Sequence, residues 1–269
     1  MKILVFVPVW QRKEIFLKCL AGLKRLNEYR KDINLIPFCI ISEAWAEDYC
    51  LENNIKYSYA ENKPLGRKMN FGFEDAMKLE WDYLMIIGSD DLIANEYLDI
   101  IYPFLNKKTH FFGISEIYFI DEKKRRAKFL NYELELTAGK CLERKFIEDY
   151  GRRVEVEWLD AFGGGLGDFS KGEKSIFPVS KAKILQREGV AKITGRERWM
   201  LWDDHLNNCL DNSMNRKLIL WGCENQCINL KGKPLIIDLK SDVNIWGFDK
   251  INGKDCDYNF AISKIPELK

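Results

Sequence analysis

The sequence predicts an α/β fold with a mostly parallel central sheet sandwiched by helices, and three observations carry that expectation. Apolar, β-rich runs alternate with amphipathic helical stretches throughout the first 105 residues, the pattern of βαβ units. The runs are continuously apolar, as strands buried on both faces require. One of them, residues 83–87, ends abruptly at Gly88, Ser89 and two adjacent carboxylates, Asp90 and Asp91. Ionised carboxylates are costly to bury unless something neutralises them. In open α/β sheets, ligands gather at the carboxyl ends of the strands. A divalent metal holding a phosphorylated substrate satisfies both conditions.

The elements follow in order. Residues 3–7 read as a buried strand that Pro8 stops. A helix over 13–29 places Phe16, Cys19, Leu20, Leu23 and Leu26 on one stripe. Residues 33–41 form a second strand leading into Ser42 and Glu43, and a short helix at 44–53 precedes a third strand at 55–59. Residues 61–66 are a loop with Asn, Pro and Gly supplying the turn chemistry. A helix from Arg67 to about residue 80 buries Met69, Phe73, Ala76 and Met77, and the fourth strand then reaches the acid pair. A further helix is expected near 95–105.

The second half reads differently. Residues 111–120 and 127–134 flank a charged turn, which makes a hairpin. Gly163, Gly164, Gly165 and Gly167 let backbone approach a ligand closely. Helices are expected over 181–188 and 198–210, and strands at 218–221 and 234–239. The tail after Trp246 is polar and is expected to wrap the surface. With no internal repeat, one domain is expected over 1–245, a nucleotide-type half (1–105) and an acceptor-type half (106–245), followed by the tail 246–269.

Composition narrows the classes. A 269-residue chain that is 46% hydrophobic and 13% aromatic buries a sizeable core, which excludes intrinsic disorder. Lys+Arg 42 against Asp+Glu 41 leaves +1, so no global field draws the chain to nucleic acid. Eight scattered cysteines, several inside apolar runs, point to reduced thiols in the cytoplasm rather than a disulfide framework. Cys223 and Cys227 are the closest pair, and no further cluster completes a zinc site. The first apolar run is too short for a signal peptide, and no run reaches the ~18–20 residues of a transmembrane segment.

Four groups carry chemistry, and each has a plainer reading. Pro8, Trp10 and Arg12 lie just past the first strand, where an aromatic and a cation grip a nucleotide; the plainer reading is a capped turn. Asn62, Gly66, Arg67, Lys68 and Asn70 span a helix start, where cations oppose the helix dipole unless an anion also sits there. The alternative is a solvated helix start compensated by Glu74 or Asp75. Ser89, Asp90 and Asp91 offer the hard oxygen ligands that Mg²⁺ and Mn²⁺ prefer, although Asp91 also suits a helix cap. Asp203 and Asp204 follow an aromatic stripe, Trp199 and Trp202; adjacent acids raise each other's pKa, which suits one to accept a proton near neutrality. The plainer reading is an exposed helical acid pair. The basic run 123–128 reads as a solvated hairpin tip before it reads as a nucleic-acid contact.

Taken in order, these groups resemble the family 2-like glycosyltransferases of the GT-A fold. The matching residues are Pro8 and Arg12 after strand one, Asn62, Gly66 and Asn70 before and within a helix, Ser89-Asp90-Asp91 at a strand end, and Asp203-Asp204. The resemblance spans residues 1 to about 210 and is clearest in the first 95. It implies transfer of a sugar from a nucleoside-diphosphate sugar donor to a glycan or other hydroxyl acceptor, a modified nucleobase among them. Mn²⁺ or Mg²⁺ would sit on Asp90 and Asp91. Pro8, Trp10, Arg12 and Glu43 would hold the nucleoside, and Arg67 and Lys68 would face the diphosphate. Asp204, or failing it Asp203, would act as the base of an inverting reaction. Two departures stand out: Gly88 replaces the first acid of the family's Asp-x-Asp motif, and the acids after strand two are reduced to Glu43. Gly88 encourages a rival reading as a non-catalytic nucleotide-sugar binding or scaffold protein. A sugar-phosphate nucleotidyltransferase shares the fold but opens with a glycine-rich loop that Val9-Trp10-Gln11 lacks.

Overall fold

The chain alternates strand and helix from its first residues: β1 (Lys2–Pro8), α1 (Lys13–Tyr29), β2 (Asn34–Ile41), α2 (Ala44–Glu52), β3 (Lys56–Tyr59), α3 (Leu65–Ala76) and β4 (Tyr83–Ile86). This computed structural model describes residues 1–132, 138–161, 169–206, 214, 225–241 and 247–269. Then come β5 (Asp91–Ile93), α4 (Glu96–Asn106), β6 (Phe111–Ile114), β7 (Glu116–Asp121), β8 (Arg126–Asn131), β9 (Ala138–Glu143) and α5 (Arg144–Tyr150). The later elements are β10 (Arg152–Trp158), β11 (Lys174–Pro178), α6 (Val179–Arg187), β12 (Ala191–Ile193), β13 (Arg198–Trp199), β14 (Asn225–Ile228), β15 (Ile236–Leu239), β16 (Lys254–Cys256) and α7 (Tyr258–Ile262).

The central sheet has the order β14-β6-β9-β4-β1-β2-β3. β4, β1, β2 and β3 are parallel, and β9 runs antiparallel between β4 and β6. The chain steps outward from β1 to β3 and then returns to place β4 on the other side of β1. The strand order therefore reverses between β1 and β4, the place where an open α/β sheet leaves a crevice at its carboxyl edge. Alternate residues of β1 face opposite layers. Ile3, Val5 and Val7 pack with α1 and α4, while Leu4 and Phe6 pack with Met69 and Phe73 of α3. Burial on both faces explains why these strands read as continuous apolar runs.

A second sheet, ordered β16-β8-β7-β15-β5, lies beside the first. A third is built around β10, with β11, β12 and β13 as its partners and its own apolar cluster around Trp158.

Four sequence expectations need correction. No helix covers residues 198–206: Arg198–Trp199 is strand β13, paired with β10, and the backbone then turns. Tertiary hydrogen bonds outcompete the helix there. The Asn70 side chain accepts from Leu201 N (3.0 Å) and Trp202 N (3.1 Å) and donates to Trp202 O (2.8 Å). The aromatic spacing instead reports burial, because Trp202 stacks on Phe6 and meets Phe73 edge-on.

The tail does more than wrap the surface. Phe248, Ile251, Ala261, Ile265 and Leu268 enter the main core, and β16 pairs with β8. The basic run is likewise occupied: Arg126 pairs with Asp249, Arg125 lies over the Tyr258 ring, and Lys128 Nζ donates to Ile251 O (2.8 Å). Finally, α3 starts at Leu65, two residues ahead of Arg67, because Pro64 fits the turn that opens it. The expected glycine-rich stretch 163–167 and strand 218–221 lie outside the described residues.

Candidate active site

The carboxyl ends of β1 and β4 bring the first and third groups together. Past β1 the chain turns through Gln11 (φ 55°) and Arg12 (φ 53°), both left-handed, a conformation that costs roughly 1–3 kcal/mol per non-glycine residue. Side chains from neighbouring strands stabilise the turn. Glu43, at the end of β2, accepts from Gln11 N (2.5 Å). The Arg12 guanidinium forms an ion pair with Asp90 and donates to Ser89 Oγ (3.0 Å). Asp91 accepts from Gly88 N (2.6 Å), so its carboxylate closes the turn after β4 and caps no helix. Gly88 has a steric reason as well: a Cβ there would lie 2.5 Å from Asp90 Oδ1.

A third carboxylate completes this cluster, and no local sequence pattern marks it. β15 pairs antiparallel with β5 in a register that sets Asp238 opposite Asp91. Carboxylate oxygens of Asp90, Asp91 and Asp238 all lie within 4.8 Å of one another. Lys240 Nζ donates to Asp238 Oδ2 (2.6 Å), while the buried Oδ1 has no hydrogen-bond partner among the described residues. Burial, and then the charge of Asp90, push Asp238 up to about 7. Burial, Asp90 and Asp238 together raise Asp91 well above the usual carboxylate range. Three hard oxygens, one of them orphaned, and a strong demand for positive charge suit a divalent cation such as Mg²⁺ or Mn²⁺.

The second wall comes from α3 and the 200–206 turn. Lys68 is only 1% exposed. Its Nζ donates to Val9 O (2.6 Å) and Asn62 Oδ1 (3.1 Å), which ties α3 to the loop after β1. Burial brings its pKa down to about 7, Glu43 opposing and Arg12 assisting. Arg67, its neighbour, is exposed. Gly66 is required by close approach: its N donates to Leu206 O (2.8 Å), and a Cβ would fall 1.9 Å from Asp203 O.

Asp204 accepts from Asn70 Nδ2 (2.8 Å) and pairs with Arg198. Burial would raise its pKa, but those two contacts outweigh burial and hold it below the usual range. The expected mutual raising of the acid pair is thus overridden at Asp204. Asp203 instead offers its charge to Arg153, a buried guanidinium brought down to about 9 by burial. His205 is exposed. Lys140, which sequence reasoning also missed, is buried on β9 directly beside Ile86, at the same sheet edge.

No protein-family profile matches the chain, and no curated protein matches it. Among solved structures, it is similar to S. aureus TarS 1–349 in complex with UDP-GlcNAc, at 12% identity and a TM-score of 0.47, over 91% of this chain and 60% of that one. It is similar to TarS 1–349 itself at 15% identity and a TM-score of 0.45, over 89% and 60%. A CMP:2-keto-3-deoxy-manno-octonic acid synthetase complexed with CTP aligns at 9% identity and a TM-score of 0.38, over 86% and 90%. This chain therefore spans about 60% of the length of the TarS 1–349 chain. The fold is α/β, with a mostly parallel sheet between helices. Among the described residues no helix is long and apolar enough to cross a membrane.

Proposed function

We propose that this chain is a cation-dependent glycosyltransferase that moves a sugar from a nucleoside-diphosphate sugar to an acceptor hydroxyl with inversion, in the cytoplasm. One observation carries the reading: three carboxylates converge within 4.8 Å at the switch point of the sheet, next to Arg12. A diphosphate bridged by a divalent cation matches that mixture of acids and a guanidinium.

Asp90, Asp91 and Asp238 would hold the ion, and Mn²⁺ or Mg²⁺ supplies charge neutralisation for the departing diphosphate when bound. Pro8, Trp10, Arg12, Asn62 and Glu43 position the nucleoside and its phosphates. Arg67, exposed at the start of α3, reaches the diphosphate from outside, and Lys68 holds the loop after β1 while lending its charge. Asn70 fixes the turn that carries the acid pair, and Gly66 lets that turn approach. Asp204, or Asp203 beside it, takes the acceptor proton. Because Asp204 is held ionised, it is ready to accept a proton once the acceptor hydroxyl displaces Arg198.

A second reading, a nucleotide-sugar binding protein without turnover, is favoured by one feature: Arg198 and Asn70 engage both oxygens of Asp204. Incubation with UDP-, GDP- and dTDP-sugars and Mn²⁺ separates the two, since a transferase hydrolyses its donor slowly without acceptor. Asp90→Ala should abolish donor hydrolysis with the fold intact, and full activity in that variant would refute the reading. Asp204→Asn should keep donor binding and lose turnover; if Asp203→Asn alone does so, Asp203 is the base.

A further inference from the structure

The Arg12 guanidinium occupies the carboxylate that the proposed cation needs. Its Nη1 pairs with Asp90 Oδ2, and Nη2 donates to Ser89 Oγ at 3.0 Å. A Cβ on Gly88 would fall 2.5 Å from the other Asp90 oxygen, Oδ1. Arg12 reaches this position from a left-handed backbone (φ 53°, ψ 43°) at the start of α1, anchored next door by Gln11 N on Glu43. A non-glycine residue held in that conformation points to a function that the surrounding contacts enforce. The guanidinium fork is also shaped to bind a diphosphate through two parallel hydrogen bonds, which one carboxylate oxygen and a hydroxyl do not fully exploit.

We propose that Arg12 competes with the divalent cation for Asp90 and thereby couples cation binding to donor binding. Without donor, Arg12 sits on Asp90 and lowers the affinity of the site for the ion. The diphosphate of the donor draws the guanidinium away and frees Asp90. By linkage, the ion then tightens the donor by the same factor. The inference rests on the cation reading above, and it assigns Arg12 a role distinct from simple phosphate contact: it sets how tightly the empty site holds metal.

The test is a titration of the protein with Mn²⁺ in the absence of nucleotide, with free ion followed by electron paramagnetic resonance. Arg12→Gln should bind Mn²⁺ about tenfold more tightly than wild type, within the usual span of coupling between sites. Addition of UDP should then tighten Mn²⁺ less in the variant than in wild type. Ser89→Ala, which removes only the second anchor of the guanidinium, should shift the affinity in the same direction by a smaller factor, and it decides the matter if Arg12→Gln does not fold. Unchanged or weaker Mn²⁺ binding in the folded variants overturns the competition while leaving the cation site standing. Absence of Mn²⁺ binding in wild type and both variants overturns the cation reading, and this inference with it. Asp90→Asn, which should lose the ion, marks the site in either case.

Discussion

Lys68 shows how a single residue ties stability to the proposed site. An unfolded lysine titrates near 10.4, but burial brings Lys68 down to about 7 in the folded chain. Between those values the unfolded chain binds more protons than the native one, so stability should rise with pH from about 7 towards 10. Below pH 7 the penalty for burying the charge is fully present. Lys68→Met should flatten the slope, as read from urea midpoints at pH 6.5, 8 and 9.5; an equal slope in both proteins would remove Lys68 as its source. Gly88 supports a second expectation at this scale. The sequence alone presents it as a lost metal ligand, yet its Cβ would crowd Asp90 Oδ1 at 2.5 Å. Gly88→Asp should therefore weaken Mn²⁺ binding, whereas a restored ligand would strengthen it. Asp90 and Asp91 were legible because they end an apolar run. Asp238 was not, since only the register of β15 on β5 brings it to them.

Helices and strands were legible to the extent that their own burial pattern determined them. The helix read over 13–29 coincides with α1 because one stripe of it is buried from end to end. Over residues 198–206 the helix read there fails because spacing of aromatic rings records what is buried and not how the backbone runs. Trp202 packs between Phe6 and Phe73, and the Asn70 amide satisfies the backbone that a helix would otherwise pair. Asn70 is thus the pin between α3 and the turn that carries Asp203 and Asp204. Asn70→Ala leaves those buried groups unpaired and should cost about 1–3 kcal/mol or more, the usual penalty for an orphaned buried group. Equilibrium urea unfolding measures it. A loss below about 0.5 kcal/mol would mean the turn is held elsewhere.

Across the whole molecule, the order of the strands makes the site. The reversal between β1 and β4 opens one crevice, and Arg12, Glu43, Ser89, Asp90, Asp91 and Asp238 reach it from five different elements or their ends. The alternation of strands and helices made the parallel core legible, and the charged turn marked the β7–β8 hairpin of the second sheet, while the pairings of β5, β15 and β16 in that sheet join distant segments that no local pattern encodes. The final segment closes the other flank. Glu267 takes two hydrogen bonds from Arg25 (2.8 and 3.1 Å), and both side chains are largely buried. Glu267→Ala leaves that guanidinium its contacts with Asn95 Oδ1 and Ile93 O but no opposing charge, and should destabilise the fold by about 3 kcal/mol, far more than a surface tail would allow. Chemical denaturation distinguishes the two.

The proposed chemistry requires an ion seated among three aspartates at the edge of β4. Its most direct test is anomalous diffraction at the manganese edge from a crystal soaked with Mn²⁺ and UDP. One strong peak within coordination distance of Asp90, Asp91 and Asp238, with the diphosphate on its open side, is the expected result. A peak elsewhere, or bound UDP with no metal beside those carboxylates, would contradict it.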